Sequence, residues 1–284
     1  MALQVTSVRL HGFRSYQDMQ IDGIGALVVL VGPNAAGKTN FIEGIQLLTA
    51  LDSFRNAKTE QLIRWGCESA FLSAELKDGA RQLDVALALD VRGRHYRLNG
   101  KQRPRQELQG VLPAVLFSPD DLQLVKGSPE LRRSALDALG VQVSRNYLLV
   151  KRDYEKLLRQ KNRLLKDEVS VSYLASVNEV LVKIGSQLML YRLRVLQGLR
   201  GLLQERHAAT TGTGDTVSLE DFPSFNPGET MDDAQIAASL ENRAVVETAL
   251  YDALEQRAEE EAARKTSLVG PHRDKPAFYL NGRP

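Results

Sequence analysis

Eight consecutive residues, Gly32-Pro33-Asn34-Ala35-Ala36-Gly37-Lys38-Thr39, match the pattern G-x-x-x-x-G-K-[ST] in full. Gly32 and Gly37 permit torsions that side chains forbid, so successive N–H groups can turn inward around an anion. Pro33 stiffens the turn where no N–H is needed. A helix starting near Lys38 brings the positive end of its dipole to the same point. Lys38 can then reach the β- and γ-phosphates, and the Thr39 hydroxyl is a ligand for Mg²⁺. The chemistry expected of residues 32–39 is the binding of a nucleoside triphosphate.

That chemistry needs a strand before the loop and a helix after it. Ala26-Leu27-Val28-Val29-Leu30-Val31 is a continuous valine-rich run and predicts a strand buried on both faces. Asn40 to Leu51 carries Phe41, Ile45 and Leu48 at helical spacing. A glycine-rich turn matching by chance would lack both flanks.

The other candidate groups are cationic or acidic. Arg14 lies shortly before the loop strand, either near bound phosphate or as a solvated turn arginine. Phe71 to Pro104 reads as an antiparallel meander, with strands over Phe71–Lys77, Gln82–Val91 and His95–Leu98 and a hairpin signal at Asn99-Gly100. Its Arg81, Arg92, Arg94, Arg97, Lys101, Arg103 and Arg105 make either a solvated sheet face or a phosphate-backbone patch. Val111 to Phe117 predicts a further apolar strand, closing on Asp120 and Asp121. Ser118 as cap and Pro119 at the first position make those acids first-turn helix residues and not the main metal site.

From about Pro129 the sequence turns helical. Tyr147, Val150, Tyr154, Leu157 and Leu164 fall at three- and four-residue steps, interrupted by Lys161, and Val177 to Leu202 repeats the pattern. Two such helices with a short link form an antiparallel hairpin. The outer faces of the first are basic, and Lys156, Arg159 and Arg163 are the DNA-binding candidates, weighed against plain solvation of a helix face. Residues 210–233 read as loop with a short strand at Val217-Ser218-Leu219. A third helix is expected from about Asp233 to Arg264, and the sequence from Thr266 returns to sheet-like character through Phe278-Tyr279-Leu280.

With 43% hydrophobic and 25% charged residues in 284, the composition is that of a soluble globular protein with one large or two ordinary domains. A formal net charge of +2 confines any nucleic-acid site to a local patch. The single cysteine, Cys67, excludes an intrachain disulfide and reads as a small packing residue. No signal pattern and no bilayer-length apolar run occur, so no membrane partner and a cytoplasmic location are expected.

Four stretches together resemble the RecF family of bacterial recombination-repair ATPases, related to the structural-maintenance-of-chromosomes heads. They are Phe13-Arg14-Ser15-Tyr16; the phosphate loop with its helix through Ser53-Phe54-Arg55; residues 117–129 with Arg132-Arg133; and Val269-Gly270-Pro271-His272-Arg273-Asp274. Ala50-Leu51-Asp52 departs from the Gly-Arg that the family has before Ser-Phe-Arg. The resemblance implies an α/β P-loop NTPase fold, an ABC-type ATPase head with a mixed sheet and an inserted, mainly helical lobe. The expected partition is 1–118 head, 119–265 helical lobe and 266–284 return to the head.

The resemblance also implies ATP and Mg²⁺ as cofactors, an ATP-dependent homodimer, binding to single- and double-stranded DNA, and cooperation with RecR in loading the recombinase at gaps. Roles in DNA repair, replication restart and the SOS response follow from the same source. A weak ATPase is implied too, but the serine-glycine-glutamine signature and the catalytic acid do not occur in these residues, so the catalytic residues are unknown. The chain stops at Asn281-Gly282-Arg283-Pro284, the point of a hairpin, and the expectation is a C-terminally truncated head. The competing readings are a non-repair ABC-type nucleotide-binding subunit and an architectural chromosome-maintenance head. His272 is either structural or near the nucleotide, with structural favoured.

Overall fold

Alternation of small and branched apolar residues builds the first of two units, Met1–Leu116 and Phe117–Pro284. The computed structural model describes residues 3–167, 170–226 and 228–283. In the first unit the strands are β1 (Gln4–Phe13), β2 (Tyr16–Asp22), β3 (Ala70–Asp78), β4 (Arg81–Asp90), β5 (Gly93–Leu98) and β6 (Lys101–Arg103). They form one sheet in the order β2-β1-β3-β4-β5-β6, every described pairing antiparallel. Period-two burial puts Val8, Leu10, Leu72, Leu76, Val85, Leu87 and Leu89 on one face. Helix α1 (Lys38–Thr49) covers that face with Phe41, Leu47 and Leu48. Gly44 allows the close approach, since a Cβ there would stand 2.9 Å from a Leu10 methyl. Short helices α2 (Thr59–Leu62) and α3 (Arg105–Leu108) complete this unit. Asn99 and Gly100, at φ 50° and 73°, make the expected hairpin turn between β5 and β6.

Two expected strands do not form. Residues 26–31 and 111–117 belong to no ladder, and Leu27, Val29, Val31, Val115 and Phe117 are 73–89% exposed. An apolar run supplies strand propensity, but a strand exists only against a partner, and neither run lies in a ladder among the described residues. The loop therefore follows a segment outside any ladder instead of a buried strand.

The second unit begins with a 3₁₀ turn over Pro119–Leu122 and α4 (Gln123–Lys126). Asp121 Oδ2 accepts from the Ser118 N–H (2.6 Å) and Oγ (3.0 Å), so Asp121 is a capping acid as expected, and Asp120 is exposed. Helices α5 (Pro129–Val143), α6 (Arg145–Lys166) and α7 (Val171–Thr211) follow. Tyr147 meets Tyr191 at 5.3 Å, and Tyr154 lies against Gly185, so α6 and α7 run antiparallel. At 41 residues α7 exceeds the expected span at both ends, and it stops where Gly212 takes a left-handed conformation. No described helix is long and apolar enough to cross a membrane.

The expected third helix is three: α8 (Asp233–Glu241), α9 (Arg243–Gln256) and α10 (Ala258–Arg264). Asn242 leaves helical torsions and caps α9, its side chain accepting from Ala244 N–H. The expected short strand appears as β7 (Val217–Glu220), paired antiparallel with β8 (Ala277–Leu280). Residues 266–276 form turns and loop, not strand. Among the described residues of 266–283, the one ladder is this two-stranded one inside the second unit.

Candidate functional site

Gly37 is the N-cap of α1, at φ 99°, and supplies no side-chain cap, so the first N–H groups of the helix stay open to an anion. Ser15 Oγ and Tyr16 Oη each lie 2.9 Å from where a Cβ at 37 would stand. Only glycine fits there, on both torsional and steric grounds. Ala35 is also left-handed, at φ 65°, a conformation that costs a residue with a Cβ about 1–2 kcal/mol. Lys38 Nζ donates to Gly32 O and Pro33 O, both at 2.7 Å, and makes no ion pair among the described residues. Gly32, Pro33, Asn34, Ala35 and Ala36 are exposed. The Thr39 hydroxyl is exposed and makes no hydrogen bond among the described residues, which leaves it free for a cation. Open helical N–H groups, a lysine with no acid partner and a free hydroxyl in succession fit a phosphate group with Mg²⁺.

The wall behind the loop is a polar network that sequence spacing did not disclose. Tyr16 Oη donates to Gly37 O (3.1 Å), and Asn40 Nδ2 donates to Ser15 Oγ (3.0 Å). Arg55 Nη1 donates to Asn40 Oδ1 (2.9 Å). Glu43 is fully buried beneath them. Arg14 grips it with Nε at 2.9 Å and Nη2 at 2.8 Å, Ser53 Oγ at 2.6 Å and Arg55 at 3.3 Å. Burial opposes its charge, but the hydrogen bonds from Arg14 and Ser53 win, and the carboxyl is held below the usual range. Arg14 is thus not a solvated turn residue; its guanidinium neutralises Glu43. The signal was present, since Glu43 is the only acid between Lys38 and Leu51.

Of the seven meander cations, Arg81, Arg92, Arg97 and Lys101 are exposed and make no ion pair among the described residues, and the other three are committed. Arg94 and Arg105 face Asp52 at 3.7 and 3.4 Å, and Arg103 faces Glu107 at 3.2 Å. On α6, Lys156, Arg159 and Arg163 are all exposed at three- and four-residue steps, and none makes an ion pair among the described residues. The structure places these three together on one open helix face. Cys67 is not a packing residue: it is exposed, in a turn.

The remaining motif stretches converge inside the second unit. Arg133 donates to Asp274 O (2.6 Å), and Arg132 donates to Gly127 O (2.9 Å) and to Pro276 O. Arg192 makes a bidentate pair with Asp137 (2.7 and 3.0 Å) and donates to Pro271 O. Tyr147 Oη completes Asp137 at 2.7 Å. Tyr154 Oη donates to His272 Nδ1 (2.7 Å), and His272 Nε2 donates to Ser267 O (3.2 Å). Burial pushes His272 down to about 3, so the imidazole is neutral and serves as a fixed two-ended strut.

The family model described as "RecF/RecN/SMC N terminal domain" matches residues 4–257. The DNA replication and repair protein RecF of Synechococcus sp. (strain JA-3-3Ab) is 35% identical over 286 residues, covering 97% of this chain and 72% of that protein. Its counterpart in Thermosynechococcus vestitus is 36% identical, covering 98% and 72%. Among solved structures, the recombination mediator protein RecF with ATP superposes with a TM-score of 0.86 at 22% identity, over 99% of this chain and 74% of that one.

Proposed function

The chain belongs to the RecF family of DNA replication and repair proteins, and we propose from that premise that it is an ATP-dependent DNA-binding protein of recombinational repair. The observation that carries the reading is the loop at 32–39: open N–H groups at Gly37, an ammonium from Lys38 with no acid partner and a Thr39 hydroxyl with no hydrogen bond among the described residues. Lys38 would leave the Gly32 and Pro33 carbonyls for the β- and γ-phosphates, and Thr39 Oγ would hold Mg²⁺. When bound, Mg²⁺ supplies charge neutralisation between the phosphate oxygens. Gly37 and the Tyr16 hydroxyl fix the start of α1, so its dipole stays aimed at the anion.

In this reading, ATP on the loop drives self-association of two copies. The α6 face of Lys156, Arg159 and Arg163 takes the phosphate backbone of single- and double-stranded DNA. Cooperation with RecR in recombinase loading at gaps, replication restart, the SOS response and a cytoplasmic location complete the proposal by family membership. The deciding measurement is binding to gapped DNA at moderate salt with and without ATP and Mg²⁺. Tighter binding with ATP, abolished by Lys38→Met together with ATP binding in calorimetry, is expected. Equal DNA affinity with and without ATP, or undiminished ATP binding by Lys38→Met, would refute it.

A further inference from the structure

The chain has one tryptophan, Trp65, and it is 98% exposed. An indole left wholly in water forfeits the burial that makes this side chain useful in a core. Its backbone is nonetheless firmly held. Arg14 N–H donates to Leu62 O (2.9 Å), Phe13 and Ile63 form a bridge, and Arg64 N–H donates to Gly12 O (2.8 Å). Cys67 N–H closes the turn onto Arg64 O (3.0 Å), with Gly66 at φ 84°. That is a turn with Trp65 at its first corner and glycine at the second, where a positive φ is required. A rigid turn therefore presents a free aromatic face.

The turn adjoins the phosphate loop. The segment it pairs with, residues 12–14, continues into Ser15 and Tyr16, both of which border Gly37. The Arg64 guanidinium donates to Ser15 O. A nucleotide held by its phosphates at Gly37–Thr39 must lead its sugar and base out along a wall, and this is one of them. Residues 32–36 offer no aromatic ring, and the Tyr16 hydroxyl is tied to Gly37 O.

We propose that Trp65 is the stacking platform for the adenine of the nucleotide bound at residues 32–39. The inference rests on the nucleotide reading of that loop and adds the base-recognition element to it. A DNA base is the less suitable occupant. Single-strand stacking sites pair their aromatics with cations along the backbone. Here the neighbours are exposed Glu60 and Glu68, and Arg64 is already committed to Ser15.

Because Trp65 is the sole tryptophan, its fluorescence reports this site alone. The full chain should be titrated, with Mg²⁺, against ATP and against inorganic triphosphate, which carries the phosphates without the base. ATP is expected to quench the emission, while triphosphate binds in calorimetry without quenching. Trp65→Ala should weaken ATP binding about tenfold and leave triphosphate binding unchanged, and Trp65→Phe should recover most of the loss. ATP binding by Trp65→Ala at wild-type affinity would overturn the proposal, as would quenching by gapped DNA without nucleotide. Failure of the wild-type chain to bind either ATP or triphosphate would instead bring down the loop reading, and this proposal with it.

Discussion

Lys161→Met is the most discriminating test of how the second unit is held. Lys161 lies on α6 and Glu261 on α10, both at most 1% exposed, with Nζ 2.6 Å from Oε2. Glu261 Oε1 also accepts from Leu268 N–H (2.7 Å) and Ser267 Oγ (3.1 Å). Burial lowers the Lys161 pKa, with Glu261 offsetting part of that effect. Methionine preserves the stem and its packing but deletes the cation. Removing one partner of a buried ion pair costs about 3–5 kcal/mol. The two hydrogen bonds left on Glu261 favour the lower end, about 3 kcal/mol. With a urea m-value of about 2–3 kcal/mol/M, the midpoint of the helical circular-dichroism transition should fall by about 1 M or slightly more. The double variant Lys161→Met/Glu261→Gln removes the stranded charge and keeps an acceptor for Leu268, so it should recover at least half of the loss. A single variant within about 0.5 kcal/mol of wild type, or a double variant no better than the single, would refute the account.

On α6, Arg159→Glu combined with Arg163→Glu should reduce the slope of log affinity for DNA against log salt by about 2, one for each lost phosphate contact; an unchanged slope returns that face to simple solvation. Asp221, with Asp274 as its acidic neighbour, is pushed up to about 7 by burial, against Arg192, Arg133 and Arg200. An acid whose folded pKa is raised binds more protons when folded, so stability is greatest at low pH and falls as pH rises from about 4 to 7, by up to about 1.4 kcal/mol per unit. Asp221→Asn should flatten the stability profile in that window, and a profile unchanged by the substitution would exclude Asp221 as its source.

The phosphate loop was legible because its residue types encode backbone torsions directly: glycine at 37 is dictated by a φ of 99° and a site with no room for a Cβ. Asn99-Gly100 was legible for the same reason. Helices were found but misbounded, since apolar periodicity says little about where the ends fall. Asn242 interrupts the stretch read as one helix because its side chain caps the next one. Strands 26–31 and 111–117 were misread because valine content reports propensity, whereas a ladder requires a neighbour that local sequence does not name. Glu43, Lys161 and the struts on residues 269–276 were missed for a related reason. Their partners lie 29, 100 and up to 144 positions away, as Arg14–Glu43, Lys161–Glu261 and Arg132–Pro276 show.

Those long-range partners also explain why counting basic residues is a poor guide to a nucleic-acid surface. In the second unit, Arg132, Arg133 and Arg192 give their guanidinium groups to backbone carbonyls or to buried acids. Arg200 is divided among Leu219 O, Glu220 and Asp233, Arg257 is paired with Glu260, and Arg273 donates to Ser267 O. A cation already matched by an acid or a carbonyl must break that bond before it can meet a phosphate, so it adds little to counterion release. Lys156, Arg159 and Arg163 make no ion pair among the described residues, and their spacing aligns them along one side of α6. A net charge of +2 conceals this division, because it weighs committed and free cations equally. The salt dependence of DNA binding should therefore follow the free stripe, while the anchored arginines govern whether the unit is folded.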